Sequence, residues 1–241
     1  MANRQALEQL AEWIKGSSYT VLLTGAGMST ESGIPDFRSQ NGLWKNYDPA
    51  YVSSVEALHR HYDVFHEFYS LRLNDMERLK PHSGYSILSK WQQQSMVHAV
   101  ATQNVDGFHK KSGAHHVFEL HGSLDEIYCH ECGSAHSREN FRKGEPCDCG
   151  GRLRPGIVLF GELLPEKTWE SALASIEKAD LVIVIGTSLQ VYPVNQLPSL
   201  TSGKTVLINR EPTTLDHLFT MVIHSGAKDT LIQLDEIIQD T

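Results

Sequence analysis

No apolar run in this 241-residue chain approaches the roughly 20 residues that span a bilayer. Basic charge is not in surplus either. Twenty-one lysines and arginines face 29 aspartates and glutamates, and a net charge of -8 works against wrapping nucleic acid or lying on anionic lipid. Thirteen histidines offset part of that charge only at mildly acid pH. A signal-peptide core is missing from the start. Leu7, Leu10, Ala11 and Ile14 recur there at helical spacing with charges between them, which is an amphipathic helix. Internal repeats and low-complexity tracts are absent. Cysteine is scarce, four in all, and every one falls between residues 129 and 149. In a chain with no export signal, that clustering indicates a metal site rather than disulfides. These absences predict a cytoplasmic protein with neither nucleic acid nor membrane as partner. A hydrophobic content of 40% suits a globular core, as one large domain or as one domain with a smaller insertion.

The glycine-rich run that is present also lacks something. Residues 19–24 read as an apolar strand that enters Gly25-Ala-Gly-Met-Ser-Thr30. Gly25 and Gly27 can take φ > 0 and let a phosphate approach bare backbone. The dinucleotide fingerprint G-x-G-x-x-G, however, wants glycine where Thr30 stands. Alone, the stretch fits either a diphosphate loop or a tight strand-to-helix turn with no ligand.

Further strand-like runs occupy residues 96–102, 116–121, 156–160, 181–186, 204–209 and 219–224. The run Leu181-Val-Ile-Val-Ile is apolar on both faces, as a central strand covered by helices on each side must be. Strands alternating with helices predict an α/β fold, a Rossmann-like doubly wound parallel sheet. Two stretches interrupt the rhythm. One is a turn-rich loop over 39–50 followed by helical periodicity to about residue 80, broken near residue 61. The other is the cysteine region. The predicted division is Rossmann-like sequence at 1–38, 83–122 and 156–241, a helical insertion with a cofactor-binding loop at 39–82, and a zinc-binding module at 123–155.

Gln103, Asn104 and Asp106 follow a strand end, where open α/β sheets bind ligands, although polar residues there also serve loop hydrogen bonding. His121 closes the next apolar strand ahead of Gly122, a position that suits a general base. Cys129-x-x-Cys132 and Cys147-x-Cys149 supply four thiolates for a closed tetrahedral zinc. His130 and His136 are alternative donors.

Taken together, Gly25-AGMSTESGIPDF-Arg38, Thr102-QNVD-Gly107, His121-Gly122, the two cysteine pairs, Arg154-PGIVLFGELL-Pro165, Gly186-TSLQVY-Pro193 and Ile208-NR-Glu211 resemble, in order, the sirtuin family of NAD-dependent protein deacylases. The resemblance spans nearly the whole chain. It implies a cleft between a Rossmann domain and a smaller zinc-bearing domain, with NAD as co-substrate and one structural zinc ion. Gly25, Ala26, Gly27 and Ser29 would line the diphosphate, with Arg38 nearby. Ile34, Pro35, Asp36 and Phe37 would shape the nicotinamide pocket. Gln103 and Asn104 would hold the ribose, with Val105 and Asp106 on the carboxamide. Gly186, Thr187, Ser188, Asn209, Arg210 and the backbone around Ala227 would cradle the adenosine half. Asn104 and His121 would be catalytic, His121 as base on a ribose hydroxyl after an acyl oxygen displaces nicotinamide.

The resemblance further implies that acylated-lysine segments of proteins are the partners, adding as a strand along Val158, Phe160, Gly161 and Glu162. Tyr69 and Arg72 share a helix face and match the Tyr-x-x-Arg pair of the branch that removes succinyl and malonyl groups. Asp36 and Asn41-Gly-Leu-Trp44 follow the general deacetylases instead, so acetyl and acidic acyl groups both remain candidates. Two other activities fit the same motifs: NAD-dependent protein ADP-ribosyl transfer, and non-catalytic sensing of NAD or ADP-ribose.

Overall fold

The computed structural model describes residues 3–37 and 42–240. Its strands are β1 (Thr20–Thr24), β2 (Ala99–Thr102), β3 (Val117–Glu119), β4 (Gly122–Cys129), β5 (Ala135–His136), β6 (Leu153–Ile157), β7 (Leu181–Ile185), β8 (Lys204–Asn209) and β9 (Met221–His224). Its helices are α1 (Arg4–Gly16), α2 (Pro49–Val52), α3 (Val55–Arg60), α4 (Tyr62–Arg78), α5 (Ser83–Gln93), α6 (Phe108–Lys111), α7 (Arg138–Arg142), α8 (Glu166–Lys178) and α9 (Ala227–Gln239). Among the described residues no helix is long and apolar enough to cross a membrane.

Six strands form one parallel sheet in the order β3-β2-β1-β7-β8-β9. Strand order reverses between β1 and β7, and a crevice opens at such a switch point beyond the carboxyl ends. The apolar runs of β1 and β7 are wholly buried, and alternate residues serve opposite faces. Val21, Leu23, Val182 and Val184 pack with Ala172 and Ile176 of α8. Leu22, Ile183 and Ile185 pack with Leu10 of α1, Leu88 of α5 and Leu231 of α9. Each such side chain contributes roughly 1.5–3 kcal/mol on burial. The amphipathic first helix starts where the Asn3 side chain accepts the Gln5 N–H.

A second sheet, antiparallel in the order β5-β4-β6, lies outside the first. It changes two sequence expectations. The run at 156–160 is not a further strand of the large sheet: Ile157 ends β6, paired with Gly122 of β4, so the small sheet runs past the expected boundary at residue 155. The run at 116–121 stops at Glu119, because the chain turns into β4 at Gly122. That turn needs glycine. Gly122 has φ +74, and a Cβ there would stand 2.0 Å from the Gly156 carbonyl oxygen. His121 therefore sits where one sheet hands over to the other.

The helical segment breaks where the sequence places it, at His61, the C-cap of α3 and N-cap of α4. It joins the small sheet in one smaller layer. Tyr62 Oη donates to the Leu153 carbonyl at 2.8 Å, the His66 Nε2–H to the Phe141 carbonyl at 2.5 Å, and Arg152 Nη1 to the Leu58 and His59 carbonyls at 2.8 Å.

Candidate active site

A cavity of about 1020 Å³ lies between the carboxyl ends of the parallel sheet and the smaller layer. Its floor is made where two loops touch. Gly25 N donates to Ile185 O at 3.0 Å, Gly27 N to Gly186 O at 2.8 Å, and Gly186 N to Ile208 O at 2.9 Å. A Cβ on Gly25 would meet the Thr187 Cβ at 2.7 Å, and one on Gly27 the Gly186 Cα at 2.9 Å. A Cβ on Gly186, at φ +65, would reach the Met28 nitrogen at 2.2 Å. The glycines thus serve the contact between the β1 and β7 loops. Two short 3₁₀ turns, Ala26–Met28 and Thr30–Ser32, follow β1 in place of a long helix, and Gly33 at φ +91 closes the second. Thr30 sits inside these turns, with its hydroxyl donating to the Gly27 carbonyl at 3.0 Å.

Most of the expected residues line this one cavity. From the loops after β1 and β7 and from the β8 and α9 ends come Ala26, Gly27, Gly186, Thr187, Ser188, Asn209, Arg210 and Ala227. The segment Ile34, Pro35, Asp36 and Phe37 and the loop residues Gln103, Asn104 and Val105 line it as well, and so does His121. Val158, Phe160, Gly161, Glu162, Tyr69 and Arg72 complete the wall. Gly25, Ser29 and Asp106 do not line it and stand one layer behind. Arg38 lies outside the described residues.

That hidden layer is a closed hydrogen-bond network. Ser29 Oγ donates to Asp106 Oδ2 at 2.7 Å and accepts Asn104 Nδ2 at 3.1 Å. Its one proton is thereby spent, so Tyr85 must be the donor in its 2.7 Å bond to Ser29. Burial raises the Tyr85 phenol well above its ordinary pKa and raises the Asp106 carboxyl too. Asn104 Nδ2 also donates to the Gly25 carbonyl at 3.0 Å, which fixes the side chain against the glycine loop. Below, burial pushes His109 down to about 3, so it is a neutral ring, bonded through Nε2 to Thr24 Oγ1 at 2.9 Å.

His121 is half-buried at the cavity wall, and its Nδ1 lies 3.1 Å from the Gln103 carbonyl. A carbonyl only accepts, so Nδ1 carries the proton and Nε2 the lone pair, the tautomer of a base. The Gln103 side chain donates to Thr187 Oγ1 at 3.1 Å, tying the β2 loop to the β7 loop. The Arg72 guanidinium stands 5.2 Å from the Phe37 ring centroid and 5.9 Å from that of Phe68. Tyr69 is buried, its hydroxyl 2.7 Å from Ser53 Oγ, and burial pushes its pKa up to about 12. The Glu162 carboxylate does not stand alone at the wall; it pairs with Arg154.

Away from the cavity, Cys129, Cys132, Cys147 and Cys149 bring their sulfurs within 4.8 Å of one another. Two of the separations are 3.5 and 3.6 Å. Zinc–sulfur bonds of about 2.3 Å in a tetrahedron set sulfurs about 3.8 Å apart, so the four thiols fit a zinc ion. Neither His130 nor His136 belongs to this group. His136 instead lies 3.1 Å from Ser134 Oγ, which is 3.3 Å from Cys147 Sγ.

Sequence reading missed Tyr85, bonded to Ser29, and Arg154, paired with Glu162, as well as Tyr192 and Pro212, which also line the cavity. The Arg154-Pro-Gly run was a signal for the second; nothing in His82-Ser-Gly-Tyr85 marks the first.

The chain is similar to known proteins over most of its length. The model of the Sir2 family matches residues 25–193. An NAD-dependent protein deacetylase of Oceanobacillus iheyensis is 46% identical over 219 residues, covering 89% of this chain and 93% of the relative. NAD-dependent protein deacetylase 1 of Geobacillus kaustophilus is 46% identical over 220 residues, covering 89% and 91%. Among solved structures, a Sir2 with p53 peptide and NAD+ superposes with a TM-score of 0.89 at 32% identity, covering 98% and 99% of the two chains. Another, holding a deacetylated p53 peptide and 3'-O-acetyl ADP ribose, gives 0.87 at 34% identity, covering 95% and 97%.

Proposed function

The chain belongs to the Sir2 family, and from that membership we propose that it is an NAD-dependent protein-lysine deacetylase that yields free lysine, nicotinamide and O-acetyl-ADP-ribose. The observation that carries the reading is convergence on one cavity: the paired glycine loops, Asn104, and a histidine whose lone pair is on Nε2. NAD supplies the nicotinamide–ribose bond that breaks and the ribose that accepts the acyl group. The chain supplies position and a base. Gly27, Gly186 and the α9 start at Ala227 hold the diphosphate and adenosine half, with Ser188, Asn209 and Arg210 around it. Gln103 and Asn104 fix the ribose, while Ile34, Asp36 and Val105 enclose the nicotinamide, with Asp106 behind them. Phe37 hinders the return of free nicotinamide. His121 Nε2 removes the proton from a ribose hydroxyl. Val158 and Phe160 present the edge on which an acylated-lysine segment adds as a strand. Four cysteines hold one zinc, which is structural because no position is left open. The net charge of -8 supports action on protein segments rather than on nucleic acid or anionic membrane, and the amphipathic first helix in place of a signal-peptide core supports a cytoplasmic enzyme.

Mass spectrometry of an acetyl-lysine peptide incubated with and without NAD tests the reading. Loss of acetyl with formation of O-acetyl-ADP-ribose is the expected result. Gain of ADP-ribose on the peptide would make the chain a transferase, and no change would leave a sensor.

A second acyl class is favoured by one observation. Arg72 lies in the cavity wall and forms no salt bridge among the described residues, so a carboxylate on the acyl group can be its partner. Arg72→Met should then lower the desuccinylation to deacetylation ratio by about thirty-fold or more, the scale of losing one partner of a desolvated charge pair. An unchanged ratio refutes the acidic-acyl reading and leaves acetyl.

A further inference from the structure

We infer that the ion pair between the buried Arg154 and the partly exposed Glu162 is a clamp that holds the peptide-binding segment in shape, so that Glu162 serves the acyl-peptide as a positioning residue. The inference rests on the deacylase reading above. Arg154 belongs to β6 of the small sheet and is 1% exposed. Its guanidinium spans both ends of the segment from Ile157 to Glu162. At one end Nη2 donates to the Ile157 carbonyl at 2.5 Å, and at the other Nη1 and Nη2 take the two oxygens of Glu162, the latter at 2.9 Å. Glu162 closes the loop on itself. Its Oε2 accepts the Leu159 N–H at 2.8 Å, and its own N–H donates to the Leu159 carbonyl at 3.0 Å.

Between those ends lie the residues that would meet the peptide. Val158 N donates to the His121 carbonyl at 2.9 Å and Phe160 N to the Ser53 carbonyl at 2.9 Å, while Phe160 O accepts Val55 N at 3.1 Å. One segment is thus fastened to the base, to the small sheet and to the turn between α2 and α3. A planar fork takes both carboxylate oxygens and the carbonyl in one fixed geometry, which a lysine's point charge does not impose and an apolar side chain cannot supply. Strand addition onto an ordered edge avoids the entropy of ordering it during binding. Breaking the pair leaves a guanidinium buried without its counter-charge, so the segment must move to relieve it.

Glu162→Gln keeps size and removes charge. Peptide KM should rise by about tenfold or more, with a smaller change in kcat and with NAD affinity by calorimetry unaltered, since the glycine loops do not touch the clamp. A purely structural pair would lower the melting temperature without this split. The double variant Arg154→Met with Glu162→Gln removes both charges, and it decides the matter if the single variant does not fold. Raised peptide KM in the folded variant supports the clamp; peptide KM equal to wild type overturns it. Wild-type protein run alongside separates the two ideas. No NAD-dependent turnover there refutes the deacylase reading, whereas normal turnover with unchanged variants refutes the clamp alone.

Discussion

His121→Tyr is expected to lower kcat for deacylation by about 10²–10⁴-fold, the usual worth of a general base, or roughly 3–5 kcal/mol of barrier. The hypothesis rests on the bond from Nδ1 to the Gln103 carbonyl, which leaves the lone pair on Nε2 at the cavity wall. A phenol in that place offers a proton and no lone pair of comparable basicity near neutral pH. The fold should survive, because His121 is half-buried and its backbone carbonyl still receives Val158 N. Rates of O-acetyl-ADP-ribose formation and a thermal melt, taken on the same preparation, check both halves. Turnover close to wild type would remove His121 from the role of base.

Stripping the metal is expected to lower the melting temperature by about 10–20 °C, if the site is worth even ~5 kcal/mol to a chain of this size. Apart from the ion, the small sheet is held by its packing against α4 and by the side-chain bonds of Tyr62, His66 and Arg152. β5 is two residues long, and the apolar cover over the sheet is a handful of side chains that include Leu153, Ile127 and Phe141. Cys129 and Cys147 are buried, with the Cys129 sulfur beside Cys149 and the Cys147 sulfur beside Cys132 and Ser134, so the ion is what ties the two cysteine pairs together. Activity should fall as the module loosens, because β6 runs directly into the segment at Val158. Calorimetry before and after strong chelation, with metal content measured, is the check. An unmoved melt after confirmed metal loss contradicts a structural zinc.

The large sheet is legible in the sequence because its strands are apolar on both faces, and Leu181-Val-Ile-Val-Ile can lie nowhere but the middle. The small sheet is not. Its longest strand, Gly122–Cys129, carries Asp125, Glu126 and Tyr128 among its apolar residues and sits next to turn formers, so no period stands out. The run at 156–160 has the composition of a core strand, yet Gly156 pairs with Ser123, Ile157 pairs with Gly122, and the chain leaves the sheet after Ile157. Residues at strand ends, such as Gln103, Asn104 and His121, could be found because position in an α/β fold carries chemical meaning. Tyr85 could not. Its part depends on Ser29 and Asp106 coming from two other loops, and only three-dimensional proximity shows that the Ser29 hydroxyl has one lone pair left for it. The Lys111 ammonium, which donates to the Asp106 carbonyl at 2.9 Å, is hidden for the same reason.

The contact among Gly25, Gly27 and Gly186 sets a rule for anyone re-engineering the co-substrate preference of this protein. Backbone from two loops already fills the space that side chains would need at these three positions. A randomised library that includes them spends its diversity on molecules whose loops must part before they can fold. Ser188, Asn209 and Arg210 border the same cavity without that restriction, and Arg210 is 66% exposed at its side chain. Variation directed there can reshape the cavity wall while the floor beneath it stays intact.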